Sequence, residues 1–321
     1  MSLLPVTATV GGRSTAQKRK RYRALVVTGV ILVVLTLYVD HQDVRLDQHD
    51  NHHDPQHDRQ HDRQHVVDPT PRPLAHLTSL VVVACHSVYS SLDFKNPEDT
   101  SAWALLDYQK STEGQTHSFL EHIMIGVEEA AKDDAALLLF SGGQTRKSAG
   151  PRAESMGYWM VAESMDWFDT GRRVRNRAFT EEHSRDSLEN VVFSLCRFYE
   201  LTGKYPEHLT IVSYEFKEQR FLDLHAASLG WPADKIRFVG TPALNPEMVD
   251  GEEKTRVLFQ KDPYGCTTEL REKRLARDPF ANGPIDADRC PALEPAFAAC
   301  ARDERDLTKT LGKGALPWWN E

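Results

Sequence analysis

Four short stretches of this chain collect residues able to hold an anion or move a proton: CHSVY at 85–89, SGGQTR at 141–146, EEHSRDSLEN at 181–190 and SYEFKEQR at 213–220. Gly142 and Gly143, after Ser141, permit close backbone approach, and consecutive amides can cradle a phosphate or carboxylate. The pair matches neither a dinucleotide-binding nor a Walker pattern, so a tight strand exit is the competing reading. Ser184, Asp186 and Ser187 crowd one predicted helix start, where free amides and the helix dipole favour anions or a capping side chain. Ser213 closes a strand, and Lys217 and Arg220, three apart, supply positive charge on one helical face. Glu154, Glu181 and Lys217 are the expected proton-transfer groups. Ser141, Gly142, Gly143, Ser184, Asp186, Ser187, Asn190, Ser213 and Arg220 are the expected ligand contacts. The stretch QTRKSAGPR at 144–152 is expected to be a mobile flap.

Other chemistries are poorly supported. Cys85 and His86 are adjacent, and neighbours in an extended segment point to opposite faces, which disfavours a thiol–imidazole pair. His86 alone is the better acid–base candidate. No G-x-S-x-G elbow is present. The five cysteines contain no C-x-x-C pair, so a zinc ribbon is excluded and no metal is assigned to the site. In an oxidising lumen, Cys290 and Cys300 can pair with each other or with Cys266, leaving an odd thiol.

These residues need a scaffold that brings strand ends together. Apolar runs at 79–85, 134–141, 208–214 and 235–240, with a weaker one at 178–182, read as strands. Helical patterns lie between them at 118–132, 152–168, 184–203 and 216–230, the first expected to start on a Ser118 cap. Alternation of this kind implies βαβ units and a doubly wound, mostly parallel α/β sheet of Rossmann type, with ligands beyond the strand C-termini. Residues 242–321 read as a largely helical C-terminal extension, broken near 262–266.

The N-terminal part reads differently. Residues 1–23 hold no Asp or Glu and end in KRKRYR; residues 24–39 carry no charge. This pattern predicts a single-pass anchor with a cytoplasmic N-terminus and a lumenal main domain in a secretory membrane; the mitochondrial inner membrane is the alternative. Residues 40–73 form a His/Asp/Gln-rich stem, with histidines every four residues from 53 to 65, expected to be a solvated spacer or, more weakly, a metal-handling tract. The formal net charge of −8 argues against nucleic acid as a partner.

In their order, the motifs resemble the YdcF/SanA/ElyC-like family, a widespread domain of unknown function, and its fungal branch in particular. The resemblance spans residues 79–240. It rests on Ser141-Gly142-Gly143 after the second strand, Glu154-Ser155 opening a helix, the run from Glu181 to Asn190, and Ser213 to Arg220. DPYGCTTELREKR at 262–274 resembles the extension of the fungal branch. Asp186 and Ser187 replace the family's Asn-Thr, and Lys217 stands where the bacterial pattern has histidine. The resemblance implies a Rossmann-like fold and a polar cleft for a phosphorylated or nucleotide-like molecule, with S-adenosylmethionine or another nucleotide as candidate cofactor. A transferase or hydrolase is the expected class; a non-catalytic, membrane-tethered binding or scaffold protein is the alternative.

Overall fold

Five strands, β1 Ser79–Ala84, β2 Ala136–Ser141, β3 Ala178–Glu181, β4 His208–Tyr214 and β5 Ile236–Thr241, pair in parallel throughout in the order β3-β2-β1-β4-β5. The computed structural model describes residues 72–300 and 316–319. The expected basic leader, the membrane span at 24–39 and nearly all of the stem lie outside the described residues. Among the described residues, no helix is long and apolar enough to cross a membrane.

Each central strand is apolar on both faces, as a sheet covered by helices on both sides requires. Leu80, Val82, Leu137, Leu139, Leu209 and Ile211 pack under α3, Ser187–Thr202, through Leu188, Val191, Leu195 and Phe198. Val81, Val83, Leu138, Phe140 and Val212 face the other way. They meet α1, Gln115–Ala131, and α2, Glu154–Ser164, through Phe119, Ile123, Val127, Tyr158 and Val161. Truncating any one of these large side chains to alanine removes about 2–5 kcal/mol. The architecture is α/β, with the sheet order that a doubly wound Rossmann-like fold has.

Strand order reverses between β1 and β4. Register aligns Ala84 with Ser141 and Ser141 with Glu181, and places Val83 beside Val212, one residue before Ser213. The C-terminal row of the sheet therefore presents Ala84, Ser141, Glu181 and Ser213 together.

Several helix boundaries differ from the sequence expectation. Ser118 does not cap α1: the helix begins at Gln115 after Gly114, whose φ of 77° is left-handed. The reason is tertiary, since Thr116 donates to the Glu98 carbonyl at 2.6 Å and Gln115 donates to the Tyr214 hydroxyl, so the earlier residues are held in the helix. The helix expected to run from 152 to 168 is only Glu154–Ser164. Asp166, Trp167, Phe168 and Asp169 then adopt φ of 47–63°, and the buried Trp167 ring donates to Glu163 at 2.6 Å. Downstream of β4, a single turn at Glu215–Lys217 precedes a π-helical segment, Arg220–Ala226, where one continuous α-helix was expected.

The C-terminal residues add α4, Pro246–Lys261, and α5, Thr268–Ala276. Phe259, Tyr264, Leu270, Leu293 and Trp318 share a core with α3. Disulfides Cys196–Cys290 and Cys266–Cys300 hold this region in place, and Cys85 is a buried free thiol. The Cys290–Cys300 alternative is thus corrected, because Cys290 meets Cys196 on α3; the Cys266–Cys300 alternative forms.

The first bridge closes 94 residues of chain. A crosslink of that span contributes about 4–5 kcal/mol in the chain-entropy account. The Cys196→Ala/Cys290→Ala protein is expected to melt well below the parent while the Cys266→Ala/Cys300→Ala protein, with 34 residues of separation, loses less. Non-reducing peptide mapping should recover both linked pairs together with an alkylatable Cys85 after unfolding.

Candidate functional site

Beyond the row of strand ends lies a cavity of about 820 Å³, lined from every segment that follows β1, β2, β3 and β4 and also from α4 and α5. It sits where strand order reverses, the position at which open α/β sheets take ligands. The twelve expected site residues divide into two groups around it.

The first group forms a latch, three of whose members, Gly142, Ser184 and Asn190, also line the cavity. The Gly142 amide donates to the Glu181 carbonyl at 3.0 Å, and the Gly143 amide donates to the Ser184 carbonyl at 2.7 Å. Both amides are consumed, which corrects the reading of this pair as an anion nest. Neither glycine has positive φ. Their small size serves packing: a Cβ on Gly143 would lie 2.8 Å from the Ser184 carbonyl oxygen, and one on Gly142 would lie 2.8 Å from Glu154 Cβ and 2.9 Å from Cys85 Cβ. Glu181 is buried, and its Oε1 accepts the amides of His183 at 2.6 Å and Ser184 at 3.0 Å. Its Oε2 accepts the Ser141 hydroxyl at 2.5 Å. Asn190 Nδ2 lies 2.9 Å from Ser141 Oγ and 2.8 Å from Ser184 Oγ. Burial pushes the Glu181 carboxyl above its usual range, opposed by the Ser141 and Ser184 hydrogen bonds. Ser141, Gly143 and Glu181 do not line the cavity, so Glu181 is not placed for proton transfer to a ligand there.

The helix start at α3 is also occupied. Asp186 Oδ1 caps the Glu189 amide at 3.0 Å, and its Oδ2 pairs with Arg274 at 2.7 Å. Burial opposes the charge of Asp186, but Arg274 outweighs it and holds the carboxyl below its usual range. A carboxylate already fills the anion position at this dipole. Ser187 lines the cavity and lies 2.7 Å from Nε2 of the buried His225.

The second group faces the cavity. Glu154 heads α2; its Oε1 accepts the Thr145 hydroxyl and lies 3.6 Å from Arg146. Arg146 is buried and donates to the His86 carbonyl at 3.0 Å. The expected flap at 144–152 is therefore tied down at its near end by two buried side chains. Arg220 pairs with Glu252 of α4 at 2.9 Å, and its Nε has no partner. Among the described residues, no ion pair holds Lys217 inside the cavity or the exposed Lys273 and Arg277 that also line it.

Lys217 and His86 meet at the centre. Lys217 Nζ lies 3.5 Å from His86 Nδ1, and His86 Nε2 lies 3.2 Å from Ser213 Oγ. The imidazole stacks on Tyr214 with centroids 4.9 Å apart and meets His122 edge-on at 5.1 Å. Burial, and then the nearby Lys217, keep His86 well below the ordinary imidazole range, so it is neutral. Burial and Arg220 bring Lys217 down to about 7, against the pull of Glu252 and Glu154. Burial also pushes the Cys85 thiol well up, which leaves it a poor nucleophile.

Of the residues expected from the sequence, Glu154, Ser187, Ser213, Lys217 and Arg220 line the cavity, as do Gly142, Ser184, Asp186 and Asn190. Sequence reasoning weighed His86 and Arg146 without assigning them to the site, and it missed Glu252, Lys273 and Arg277. The basic spacing of Lys273 and Arg277, four apart on a predicted helix, was the available signal for the last pair.

The chain is similar to Uncharacterized protein YOR238W of Saccharomyces cerevisiae, at 28% identity over 257 residues, spanning 63% of this chain and 84% of that protein. No family model matches the chain. No solved structure matches it.

Two outcomes test this geometry. Gly143→Ala must displace the Ser184 carbonyl, so it is expected to cost about 1–3 kcal/mol in a denaturant melt. His122 and His225 are buried and held by desolvation at about 3. Their unfolded values, near 6.5, are higher, so the unfolded chain binds more protons between pH 6.5 and 3. Stability is present in full above pH 6.5 and falls as pH drops through that window, by about 1.4 kcal/mol per pH unit for each histidine. Urea melts at pH 7, 6 and 5 should show this slope, and His225→Gln should reduce it by about half.

Proposed function

We propose that the cavity binds a phosphorylated or nucleotide-like small molecule, as a YdcF-like domain would. The observation that carries this reading is the charge balance of the cavity. Among the described residues, Lys217, Lys273 and Arg277 line it without ion pairs, whereas of the lining carboxylates Glu154, Asp186 and Glu252 each face an arginine and only the exposed Glu247 is unpaired, which leaves cations in excess. Cations left without a protein counterion favour an anionic ligand, and arginine suits a phosphate through its fork of donors. The Phe216 ring and the Tyr108 ring at the lining add apolar faces on which a base or sugar can rest. Glu154, at the opposite wall, is an acceptor for a ligand hydroxyl. Transfer or hydrolysis of the bound group is the reaction class this set of residues supports, and S-adenosylmethionine or another nucleotide remains the candidate cofactor.

The motif order from Ser141 to Arg220 supports membership of the YdcF/SanA/ElyC-like group. Two disulfides support a main domain in an oxidising lumen, as expected for a type II single-pass protein anchored through residues 24–39.

A thermal-shift screen with ATP, a nucleoside-diphosphate sugar, S-adenosylmethionine and a polyprenyl phosphate tests the reading. A true ligand at 100 times its Kd stabilises by about 2.7 kcal/mol. Lys273→Ala/Arg277→Ala removes two exposed charges, so the fold should survive while affinity drops at least tenfold. Absence of stabilisation by every compound, or stabilisation unchanged in that variant and in Lys217→Ala, overturns the proposal.

A further inference from the structure

Lys217 stands apart from the other cations of the cavity because of what its amine touches. Arg146 and Arg220 have carboxylate partners, and Lys273 and Arg277 are exposed. Lys217 Nζ instead lies 3.5 Å from His86 Nδ1, with the ring centroids of Tyr214 and Phe216 at 5.1 and 5.8 Å. With the amine as donor, Nδ1 is bare, and the imidazole proton is then assigned to Nε2, which lies 3.2 Å from Ser213 Oγ. Stacking on Tyr214 fixes the ring plane. The result is a nitrogen nucleophile with an unprotonated base at its side, the base being oriented by a third group, which is the general arrangement of activated nucleophiles.

We propose that Lys217 is an amine nucleophile that forms an imine with a phosphorylated aldehyde or ketone, with His86 carrying the proton; this rests on the anion-binding reading above. The amine lone pair adds to the carbonyl carbon, and the carbonyl π pair moves to oxygen. The excess amine proton passes through His86 Nδ1 to the alkoxide, which gives the neutral carbinolamine. The remaining N–H proton then passes through His86 to the departing hydroxyl as the nitrogen lone pair forms the C=N bond, the C–O bond breaks, and water leaves. One amine and one carbonyl yield one imine and one water, with no oxidant or reductant. The phosphate of the substrate would be met by Arg277 and Lys273 at the mouth and by the unpartnered Nε of Arg220.

The protonation state fits. Groups facing Lys217 come from every wall: Arg220 on the π-helical segment, Glu252 on α4, Arg277 just after α5, Glu154 on α2, His86 after β1, His122 on α1 and Tyr214 on β4. Burial and the flanking arginines outweigh the two carboxylates and bring the amine to about 7. A far larger share of it is then neutral at pH 7 than the roughly one part in 2,500 of an ordinary lysine.

The test uses the full chain in detergent, with pyridoxal 5′-phosphate as a phosphorylated aldehyde probe, trapping by borohydride and peptide mass mapping. Lys217 is expected to label at least tenfold faster than the exposed lysines, with the rate half-maximal near pH 7. Pyridoxal, which lacks the phosphate, should label it at least tenfold more slowly, and inorganic phosphate should compete. His86→Gln should slow the labelling of Lys217 at least tenfold and shift its pH dependence, while the exposed lysines label as in the parent. Label spread evenly over the exposed lysines overturns the imine proposal. If a phosphorylated ligand without a carbonyl still stabilises the protein in that case, only the imine fails; if it does not, the anion site fails too.

Discussion

The buried carboxylate of Glu181 is the interaction on which the rest of the site depends. It ends β3, accepts two amides of its own loop and takes the Ser141 hydroxyl from the end of β2. Two amides returning from Gly142 and Gly143 complete the junction. A polar group buried without partners costs about 1–3 kcal/mol, so each member of this set is held in place by the cost of losing the others. The latch sets the spacing of the strand ends, and through α2 it positions Glu154 at the cavity wall.

A second constraint comes from the opposite end of the chain. Arg274 on α5 pairs with the cap of α3, and Glu252 on α4 neutralises Arg220. The C-terminal region is therefore part of the cavity, with Arg277 and Lys273 at its mouth, and two disulfides keep it there. With those charges satisfied elsewhere, Lys217 is left facing an imidazole. Its unusual protonation follows from the exclusion of water and from arginines that have nowhere else to go.

Much of the scaffold was legible from local pattern. Apolar runs such as LVVVA and ALLLF can only be strands covered on both faces, and Gly203 stops α3 where a left-handed residue is needed. The boundaries that went astray did so where a distant group intervened. Tyr214 and the Glu98 carbonyl recruit Gln115 and Thr116 into α1, which no capping rule anticipates. The glycine pair was read as a place where a ligand approaches the backbone; what approaches instead is the Ser184 carbonyl at Gly143 and the Glu154 and Cys85 side chains at Gly142.

By itself, the sequence determined the order of strands and helices, the parallel sheet and the segments that gather at the strand ends, because hydrophobic period and turn chemistry are local properties. Only the tertiary structure decided which of the polar residues there are locked against each other and which face open space. Glu154 and Glu181 are alike on paper; one lines the cavity and the other is buried in the latch. His86 becomes the partner of Lys217 only because β1 and β4 lie side by side at the reversal of strand order. Charge pairing and desolvation depend on distances between residues far apart in the chain, and those distances exist only once the sheet has formed.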